Sequence, residues 1–491
     1  MARRIERRAF LRRAACGGAG VVILGGGAAA RGYAANERLD LALIGVGGRG
    51  RWFVDTIPRM ANVVALCDVD DRKLAAAFQR WGELAKRFSA SQRSWEKRVA
   101  PTFGRLAETK VKTFHDFRRM LDETPKALDG VVVSIPDHTH AVASAAAIRA
   151  GKHVFCEKPL TRTVEESRVL RGLARKHKVA TSMGNQGTAS GPFRRALELL
   201  RDGTIGRVKE VHIWNTGGGA DRKASPKGTE PAPANLKWDL WLGPAAQRPY
   251  HREWMKRNLW RDFGTCQLGN WASHTANLAF MALKVHELWL GAAARKAAPR
   301  LRVRARSSGI NRLSFPRWEV VTWEIPARGE LPPIAFTWYN GGAPGAWEAV
   351  APLIRRGGET PPKDAPKDAP KRLPWAGAVF VGTKGRLHTT GHNATFQLLP
   401  AGQFQGVETD RPKTVDRSRG HEMDWLIACR GGKKAWANFD YASALNEFLM
   451  LGNVATQFDR ALEYDPRAGK ILNHPRADGA LRSEYRQGWS L

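Results

Sequence analysis

A glycine-rich turn behind a short apolar run constrains the fold of this chain more than any other feature. Residues 39–44 are mostly aliphatic, and Gly45, Gly47 and Gly50 follow in the pattern G-x-G-x-x-G. A second apolar run, 62–67, ends next to Asp68. This order is typical of a strand, a tight turn, a helix and a parallel strand, with phosphates bound at the helix N-terminus. The sequence therefore predicts a dinucleotide-binding βαβ unit rather than an ordinary α/β turn, the alternative interpretation.

The acidic residue after the second run predicts which dinucleotide binds. Asp68 is expected to accept hydrogen bonds from the adenosine ribose and to repel a 2′-phosphate. This favours NAD over NADP, although Arg72 lies nearby and acts in the opposite direction. Gly45, Gly47, Gly50 and Asp68 are the cofactor-binding residues that the turn itself predicts.

The remaining pattern predicts two domains of different class. Short apolar runs alternate with helical patterns up to residue 185, which indicates an α/β Rossmann domain over residues 35–185 with a parallel, doubly wound sheet. From about residue 205, several alternating strands follow one another with few helices between them. We therefore expect an α+β domain over 186–491 with a large, mostly antiparallel open sheet. A Pro/Lys-rich stretch, 356–374, is predicted to be an exposed loop.

The N-terminus has the pattern of an export signal. Arg7 and Arg8 precede a Gly/Ala-rich run over 14–30, and residues 32–34 offer a small-x-small cleavage point. We interpret residues 1–34 as a twin-arginine signal peptide, the alternative being a basic tail. The mature chain is then expected to be periplasmic or otherwise extracytoplasmic. Elsewhere no 18 uninterrupted apolar residues occur, so no membrane span is predicted in the mature chain.

Composition limits the possible partners. The net charge is +33 with 79 Lys+Arg, but the arginines are scattered and no nucleic-acid-binding module accompanies them. We expect this charge to lie on solvated faces and expect no nucleic-acid partner. The five cysteines form no C-x-x-C pair, so neither a metal site nor a disulfide framework is predicted.

Two further segments resemble a known family. Residues 130–140 read GVVVSIPDHTH, and residues 151–159 read GKHVFCEKP. This pair resembles the Gfo/Idh/MocA oxidoreductases, the group of glucose–fructose oxidoreductase and inositol dehydrogenase. The stretch WDLWLGP at 238–244 and segments near the C-terminus are similar to a bacterial, often exported, branch of that family. The resemblance covers nearly all of the predicted mature chain.

The resemblance implies roles for individual residues. Lys158 matches a lysine that lies near the nicotinamide and the substrate hydroxyl, where it would stabilise an alkoxide or relay a proton. Glu157 would hold this lysine or a cofactor ribose. The resemblance also places four residues beside the cofactor: Pro136, His140, Asn185 and Gln186. His138 is interpreted as structural.

The second catalytic element of the family is an aspartate followed four residues later by a histidine. His274 stands at the histidine position, and its i, i+4 spacing from position 270 predicts one shared helix face. Position 270 is Asn270, which carries no proton and cannot raise the basicity of an imidazole as a carboxylate can. Asn277 likewise replaces a common acid. Ordinary dehydrogenase turnover is therefore in question, although Asn270 is still suited to bind a sugar hydroxyl.

Three functions follow. The first is an NAD-dependent oxidoreductase acting on a carbohydrate or cyclitol, with tightly bound NAD because twin-arginine export carries folded proteins. The second is a glycosidase that uses NAD internally through oxidation, elimination and reduction. The third is a non-catalytic sugar-binding protein. The resemblance also implies a homo-oligomer formed through the exposed face of the second sheet.

Overall fold

The computed structural model describes residues 38–109, 111–290, 299–355 and 372–491. The predicted signal peptide and residues 356–371 of the predicted Pro/Lys-rich loop lie outside these ranges. Within them, the chain forms two β-sheets with helices packed against each. No helix of this described part is long and apolar enough to cross a membrane.

The first sheet is parallel and six-stranded, which confirms the predicted doubly wound architecture. Its order is β3-β2-β1-β4-β5-β6, and every neighbouring pair is parallel. Chain order reverses between β1 and β4, so the carboxyl ends of these strands frame the crevice where such sheets bind ligands. The strands are β1 (Asp40–Ile44), β2 (Asn62–Cys67), β3 (Lys112–Phe114), β4 (Gly130–Val133), β5 (His153–Cys156) and β6 (Thr181–Met183).

Helices cover both faces of this sheet. The helices of this half are Gly50–Thr56, Asp71–Ser89, Ser94–Thr109, Phe117–Glu123, Asp137–Arg149 and Val164–His177, whereas Gly191–Arg201 packs on Asn277–Ala282 of the second half. Asp71–Ser89 and Ser94–Thr109 form a helical hairpin, and Phe88 packs edge-to-face against Trp95 and Phe103 within it. The helix after β4 is rich in alanine, which lets it pack closely against its neighbours.

The second sheet has nine strands in the order β13-β12-β11-β7-β10-β9-β8-β14-β15. All neighbouring pairs are antiparallel except β7 and β10, which confirms the prediction of a large, mostly antiparallel sheet. The strands are β7 (Val208–Asn215), β8 (Leu301–Ser307), β9 (Glu319–Ile325), β10 (Ile334–Asn340), β11 (Ala376–Gly382), β12 (Arg386–Thr390), β13 (Phe396–Leu399), β14 (Leu462–Asp465) and β15 (Lys470–Ile471).

One helix, Phe439–Ala455, lies between the two sheets and is buried along nearly its whole length. Phe448 stacks on Trp323 of β9 at a centroid distance of 4.5 Å, and the Trp323 indole donates to the Phe448 carbonyl oxygen. The same helix packs on Val164–His177 of the nucleotide-binding half. Because it is buried on nearly every side, with its Glu447 carboxylate paired to Arg168, it joins both halves into one core.

The other helices of the second half are short. They are Trp238–Leu242, Cys266–Asn270, Ala272–Thr275, Asn277–Ala282, Glu287–Leu290, Ala346–Ile354, Val407–Asp410, His421–Cys429 and Pro475–Gly479, with 3-10 turns at Ile57–Arg59, Gln186–Ala189, Arg252–Met255, Arg257–Leu259 and Ala401–Phe404. Ala346–Ile354 covers part of the outer sheet face, where Val350 is fully buried.

One prediction about these helices is wrong. The i, i+4 spacing predicted that positions 270 and 274 share one face of one helix. The structure instead has three short helices, because the backbone tightens where His274 and Thr275 both donate to the Trp271 carbonyl oxygen. Asn270 therefore ends one helix, and His274 lies in the next.

The cysteines in the described ranges are core residues. Cys67, Cys156, Cys266 and Cys429 are free and buried. Cys67 and Cys156 each end a strand of the parallel sheet, and burial raises the pKa of both thiols. Cys16 lies outside the described residues. In the described ranges no cluster of three or more histidine, cysteine or acidic side chains has an arrangement suited to a metal ion.

Candidate active site

A cavity of about 470 Å³ opens at the carboxyl edge of the parallel sheet. The glycine turn after β1 and the residues that follow β2, β4 and β5 line one side. The opposite side comes from Leu236, Trp241 and Arg257 of the second half, and from Trp489 near the end of the chain. The cavity thus lies at the strand-order reversal, between the nucleotide-binding sheet and segments added by the rest of the fold.

The glycine turn has the backbone of a phosphate cradle. Gly45 adopts φ +85°, and a Cβ atom there would come within 2.2 Å of the Ser134 carbonyl oxygen. A Cβ atom at Gly50 would come within 2.1 Å of the Gly45 carbonyl oxygen. Side chains at either position would fill the space between turn, helix and β4. Gly47 and Gly48 line the cavity, so a pyrophosphate can approach the backbone at the start of Gly50–Thr56.

Asp68 also lines the cavity, at the end of β2. Its carboxylate accepts from the backbone amides of Val46, at 2.9 Å, and Asp70, at 3.0 Å. Burial raises the pKa of Asp68, although these two amides act to lower it. Asp68 therefore stabilises the glycine turn through these hydrogen bonds and also faces the predicted ribose position.

Arg72, the nearby cation that would favour NADP, forms an ion pair with Asp70. Its guanidinium donates to both carboxylate oxygens of Asp70, at 3.3 and 3.1 Å. Asp70 also caps the following helix by accepting from the Arg72 backbone amide. The pairing reduces the positive charge available for a 2′-phosphate, in keeping with NAD as the ligand.

Lys158 and Asn270 meet at the inner end of the cavity, and both line it. The ammonium of Lys158 donates to the Asn270 carbonyl oxygen at 3.0 Å and to the Asn270 side-chain oxygen at short range. Burial lowers the pKa of Lys158, while Glu157 and Asp137 partly oppose this shift. The Lys158–Pro159 peptide bond is cis. A partly desolvated lysine with an uncharged partner is suited to releasing and regaining a proton.

Glu157 is paired with an arginine from the glycine turn. Its carboxylate accepts from Arg49 Nε at 2.9 Å and from the Lys158 backbone amide at 3.1 Å. A Cβ atom at Gly184 would come within 2.5 Å of this carboxylate, so the glycine leaves the space that Glu157 occupies. Sequence analysis missed Arg49 because it stands at a variable position of the turn.

His274 lies near this group but does not line the main cavity. Its ring is 4.5 Å from the ring of His392, centroid to centroid, and it has no side-chain hydrogen bond within the described part of the chain. Burial holds the pKa of His274 far below its usual range, and the charges of Lys158 and Arg49 lower it further. The imidazole is therefore neutral near pH 7, with ring nitrogens free to bind a ligand hydroxyl.

Pro136 and His140 both line the cavity, after β4. The two ring nitrogens of His140 lie 2.7 Å and 2.8 Å from the carbonyl oxygens of Pro159 and Ile135. The ring thus ties the segment after β4 to the Lys158–Pro159 segment. Next to Pro136, the buried Asp137 carboxylate pairs with Arg257 and accepts from the Thr265 hydroxyl. This ion pair, which the sequence did not indicate, joins the two halves at the cavity.

Other predicted site residues lie outside the cavity lining. Asn185 is fully buried, and its amide donates to the Ser273 carbonyl oxygen at 3.0 Å, which places it behind the His274 helix. Gln186 begins the next 3-10 turn. Asn277 accepts from the Tyr441 hydroxyl at 2.8 Å and faces the core. His138 is buried between Trp241 and Phe263, and burial lowers its pKa to about 3.

Comparison with known proteins supports the same fold and ligand. Residues 39–185 match the sequence model of the Gfo/Idh/MocA family, described as an oxidoreductase family with an NAD-binding Rossmann fold. The match confirms the resemblance to the family over residues 39–185, and the backbone cradle at Gly45 and Gly50, where no Cβ atom fits, suits the NAD that this fold binds.

Individual relatives are more distant. An uncharacterized oxidoreductase of Schizosaccharomyces pombe is 33% identical over 124 residues, which are 24% of this chain and 33% of that protein. A glycosyl hydrolase family 109 protein of Stenotrophomonas maltophilia is 28% identical over 216 residues, 43% of this chain and 41% of that protein. The matched segments therefore span less than half the length of these curated relatives.

A solved structure extends the likeness of fold to the second half. Levoglucosan dehydrogenase, in complex with NADH and levoglucosan, aligns with a TM-score of 0.51 and 15% sequence identity. The alignment covers 87% of this chain and 99% of that chain. The large second sheet therefore belongs to the same fold as the sheet of that enzyme.

Proposed function

We propose that this chain, whose residues 39–185 form an NAD-binding Rossmann domain of the Gfo/Idh/MocA oxidoreductase family, oxidises a hydroxyl group of a carbohydrate or cyclitol to a carbonyl, or reduces that carbonyl back to the hydroxyl. One observation carries the proposal. Lys158, whose pKa burial lowers, lies in the same cavity as the glycine turn and donates to Asn270 from the second half. A proton-handling group and a dinucleotide cradle thus share one cavity.

The chain's own residues supply the proton chemistry. In the neutral state, Lys158 Nζ is suited to accept the proton of a substrate hydroxyl, and as ammonium it returns that proton to an alkoxide. Asn270 holds Nζ through two oxygen atoms and fixes its direction. His274, neutral and nearby, offers a second acceptor or donor for a ring hydroxyl. Bound NAD supplies the hydride acceptor and donor.

The segments that flank the cavity support tight retention of NAD. Residues Leu236, Leu240 and Met255 line the cavity opposite the glycine turn. Trp489 packs on Phe117 at 6.0 Å between ring centroids, and the Arg118 guanidinium lies 4.3 Å from the centre of the indole ring. Since Phe117 follows β3, this aromatic pair lies on the adenosine side of the crevice. A cofactor there would be covered by segments that are far apart in sequence.

A second candidate is a glycosidase that oxidises a ring hydroxyl, eliminates the aglycone, adds water and reduces the ring again. The similarity to the glycosyl hydrolase family 109 protein supports it, because that match extends over 43% of this chain and so beyond the Rossmann domain in length. The uncharged Asn270 is also compatible with a cycle in which bound NAD is reduced and then reoxidised within one turnover.

One experiment separates the two reactions. Purified protein is incubated with aldoses, inositols and p-nitrophenyl glycosides, with and without added NAD⁺. Oxidoreductase activity converts NAD⁺, whether bound or added, to NADH when a sugar or cyclitol is present. Glycosidase activity releases p-nitrophenol without added NAD⁺ and accumulates no NADH. If no compound yields either signal although the protein binds NAD, the enzymatic proposal is wrong and a sugar-binding role takes its place.

A further inference from the structure

A second cavity, separate from the one that contains Lys158, lies between the start of the helix Val164–His177 and the end of the helix Phe439–Ala455. Its volume of about 200 Å³ is room for a small molecule rather than for a single water. No residue of the described ranges lines both cavities. We call the second one the arginine cavity, because four arginines line it: Arg162, Arg261, Arg312 and Arg482.

Acidic side chains do not neutralise the positive charge around the arginine cavity. Of the four arginines, only Arg482 has a carboxylate at ion-pair distance among the described residues, that of Asp478 at 3.2 Å. One carboxylate lines the cavity, that of Asp262, and it is already paired with Arg248 outside the cavity. Three guanidinium charges around one small volume repel one another, and an anion between them would remove this repulsion.

Arg261 is the most deeply buried of the four, with 9% of its surface exposed. Its hydrogen-bond partners are all uncharged oxygens, those of the Asn311, Ser314 and Asn453 carbonyls and of the Thr456 hydroxyl. These bonds use one N–H on each guanidinium nitrogen, so two of the five N–H groups have no partner in the described part of the chain. Burial lowers the pKa of Arg261 to about 10, and Glu319 opposes this shift only in part.

Arg162 adds a second donor that lacks an acceptor. Its Nη1 donates to the Arg261 carbonyl oxygen at 3.0 Å, which holds the guanidinium beside the Arg261 segment. Its Nε is buried and has no hydrogen-bond partner within the described ranges. A buried N–H without an acceptor costs free energy that a ligand oxygen would recover. Arg312 lines the same cavity and is exposed, so its charge is accessible to an incoming anion.

We infer that the arginine cavity binds a phosphate group, either as inorganic phosphate or as the phosphate of a small ester. A phosphate dianion has two charges and several acceptor oxygens, and guanidinium groups bind such oxygens through paired hydrogen bonds. A carboxylate has one charge and two oxygens, so it would leave most of the three unpaired arginines uncompensated. This site is separate from the proposed dinucleotide site and does not depend on the proposed reaction.

The bound phosphate would join segments that also build the main cavity. Arg162 lies four residues after Lys158. Arg261 lies four residues before Thr265, whose hydroxyl donates to the Asp137 carboxylate at 2.8 Å. An anion held by both arginines links these segments in the folded state and has no such site in the unfolded chain. We therefore expect phosphate to raise the melting temperature of the protein.

Calorimetric titration of the full chain, saturated with NAD⁺, tests the inference. The probes are inorganic phosphate, glycerol 3-phosphate and the monoanion acetate, at constant ionic strength. Saturation with NAD⁺ fills the glycine turn, so phosphate bound there is not counted. We expect at least one phosphate to bind at one site per chain, and acetate to bind at least tenfold more weakly. Arg312→Gln and Arg162→Gln should each weaken phosphate binding about tenfold, as expected for one lost hydrogen bond to a charged group.

Arg98→Gln is the matched control, because it removes an exposed arginine of the helix Ser94–Thr109, which does not line the cavity, and should leave phosphate binding unchanged. Tighter binding of glycerol 3-phosphate than of inorganic phosphate identifies an ester as the ligand, and the reverse or equality identifies phosphate itself. The inference is overturned if neither phosphate binds, if acetate binds as tightly, or if both cavity variants bind phosphate like the wild type. An equal loss in Arg98→Gln also overturns it, since only the net charge would then matter.

Discussion

In the proposed reaction, the pair formed by Lys158 and Asn270 handles the proton of the substrate hydroxyl. A carboxylate at position 270 would stabilise the ammonium, whereas the amide oxygen of Asn270 accepts from it without adding negative charge. Burial then lowers the pKa of Lys158 with only Glu157 and Asp137 opposing it. Asn270 in place of the family's aspartate therefore makes Lys158 a better base than it would be beside a carboxylate. The replacement does not by itself prevent proton transfer.

This reasoning predicts the effect of Asn270→Asp on pH dependence. The new carboxylate lies within contact of Nζ, so it raises the pKa of Lys158, by about one to three units for an opposite charge at that distance. Because oxidation requires neutral Lys158, the rate rises with pH through this pKa, and its midpoint moves to higher pH in the variant. The measurement is the pH profile of substrate oxidation.

Asn438→Asp serves as the matched control, since Asn438 caps a helix away from the cavity and an aspartate also caps well. Its profile should coincide with that of the wild type. A midpoint that stays in place in Asn270→Asp, or moves to lower pH, would show that Lys158 is not the titrating base.

Single residues could be predicted from sequence where a local motif marks them, and not where distant segments meet. Lys158 stands in a Glu-Lys-Pro motif, and Gly45 and Gly50 in a recognisable turn. The hydrogen bond between Lys158 and Asn270 joins positions 112 residues apart, and no local sequence pattern predicts it. His392 was missed for the same reason.

At the scale of elements, the buried helix Phe439–Ala455 determines how the two halves pack. A Cβ atom at Gly452 would lie 2.6 Å from Leu268 Cδ2 and 2.7 Å from Trp323 Cζ2. We therefore predict that Gly452→Ala destabilises the protein by about 1–3 kcal/mol, the usual effect of overpacking a core. The free energy of unfolding by urea provides the test.

Gly104→Ala is the matched control, because Gly104 is also inside a helix and a Cβ atom there makes only an ordinary contact at 4.0 Å. It should stabilise by roughly 0.5–1 kcal/mol through helix propensity. Equal effects of the two substitutions would contradict the packing described for the buried helix.

The C-terminal segment is the second element with a predicted role. Trp489 lines the cavity, and the Gly488 carbonyl oxygen accepts from Arg118 at 3.1 Å. Trp489→Ala should therefore raise the dissociation rate of NAD about tenfold, as expected for a lost aromatic contact. Stopped-flow fluorescence of bound NADH measures this rate.

Leu472→Ala removes another exposed apolar side chain of the C-terminal region and should leave the rate unchanged. An unchanged rate in Trp489→Ala would mean that this segment does not retain the cofactor. In that case the tight binding proposed above would have to come from the segment around Leu236 and Met255.

Strong periodicity made some elements predictable. The apolar runs 39–44 and 62–67 match β1 and β2 to within one residue. The short strands β12 to β15 were not, because runs of two to five residues carry little periodic signal. The break in the helix around Trp271 also escaped prediction, since its sequence has no proline and its cause is a local backbone bond.

At the scale of the whole molecule, we propose that the protein is exported in folded form with NAD already bound. The twin-arginine pattern at Arg7 and Arg8 motivates this proposal, and free nicotinamide cofactors are scarce outside the cytoplasm. Association into a homo-oligomer through the second sheet is proposed as well. The mass of the purified chain shows whether residues 1–34 have been removed, which tests export. The mass of the native particle tests association into a homo-oligomer.

The central claim is that the glycine turn and Lys158 serve one reaction in one cavity. It is tested most directly by comparing wild type, Lys158→Ala and Lys176→Ala, an exposed lysine control, for NAD content and for turnover of the best substrate found. The account predicts that all three retain NAD, and that turnover falls about 10²–10⁴-fold only in Lys158→Ala. Full turnover in Lys158→Ala, or a wild type that binds no NAD, would contradict it.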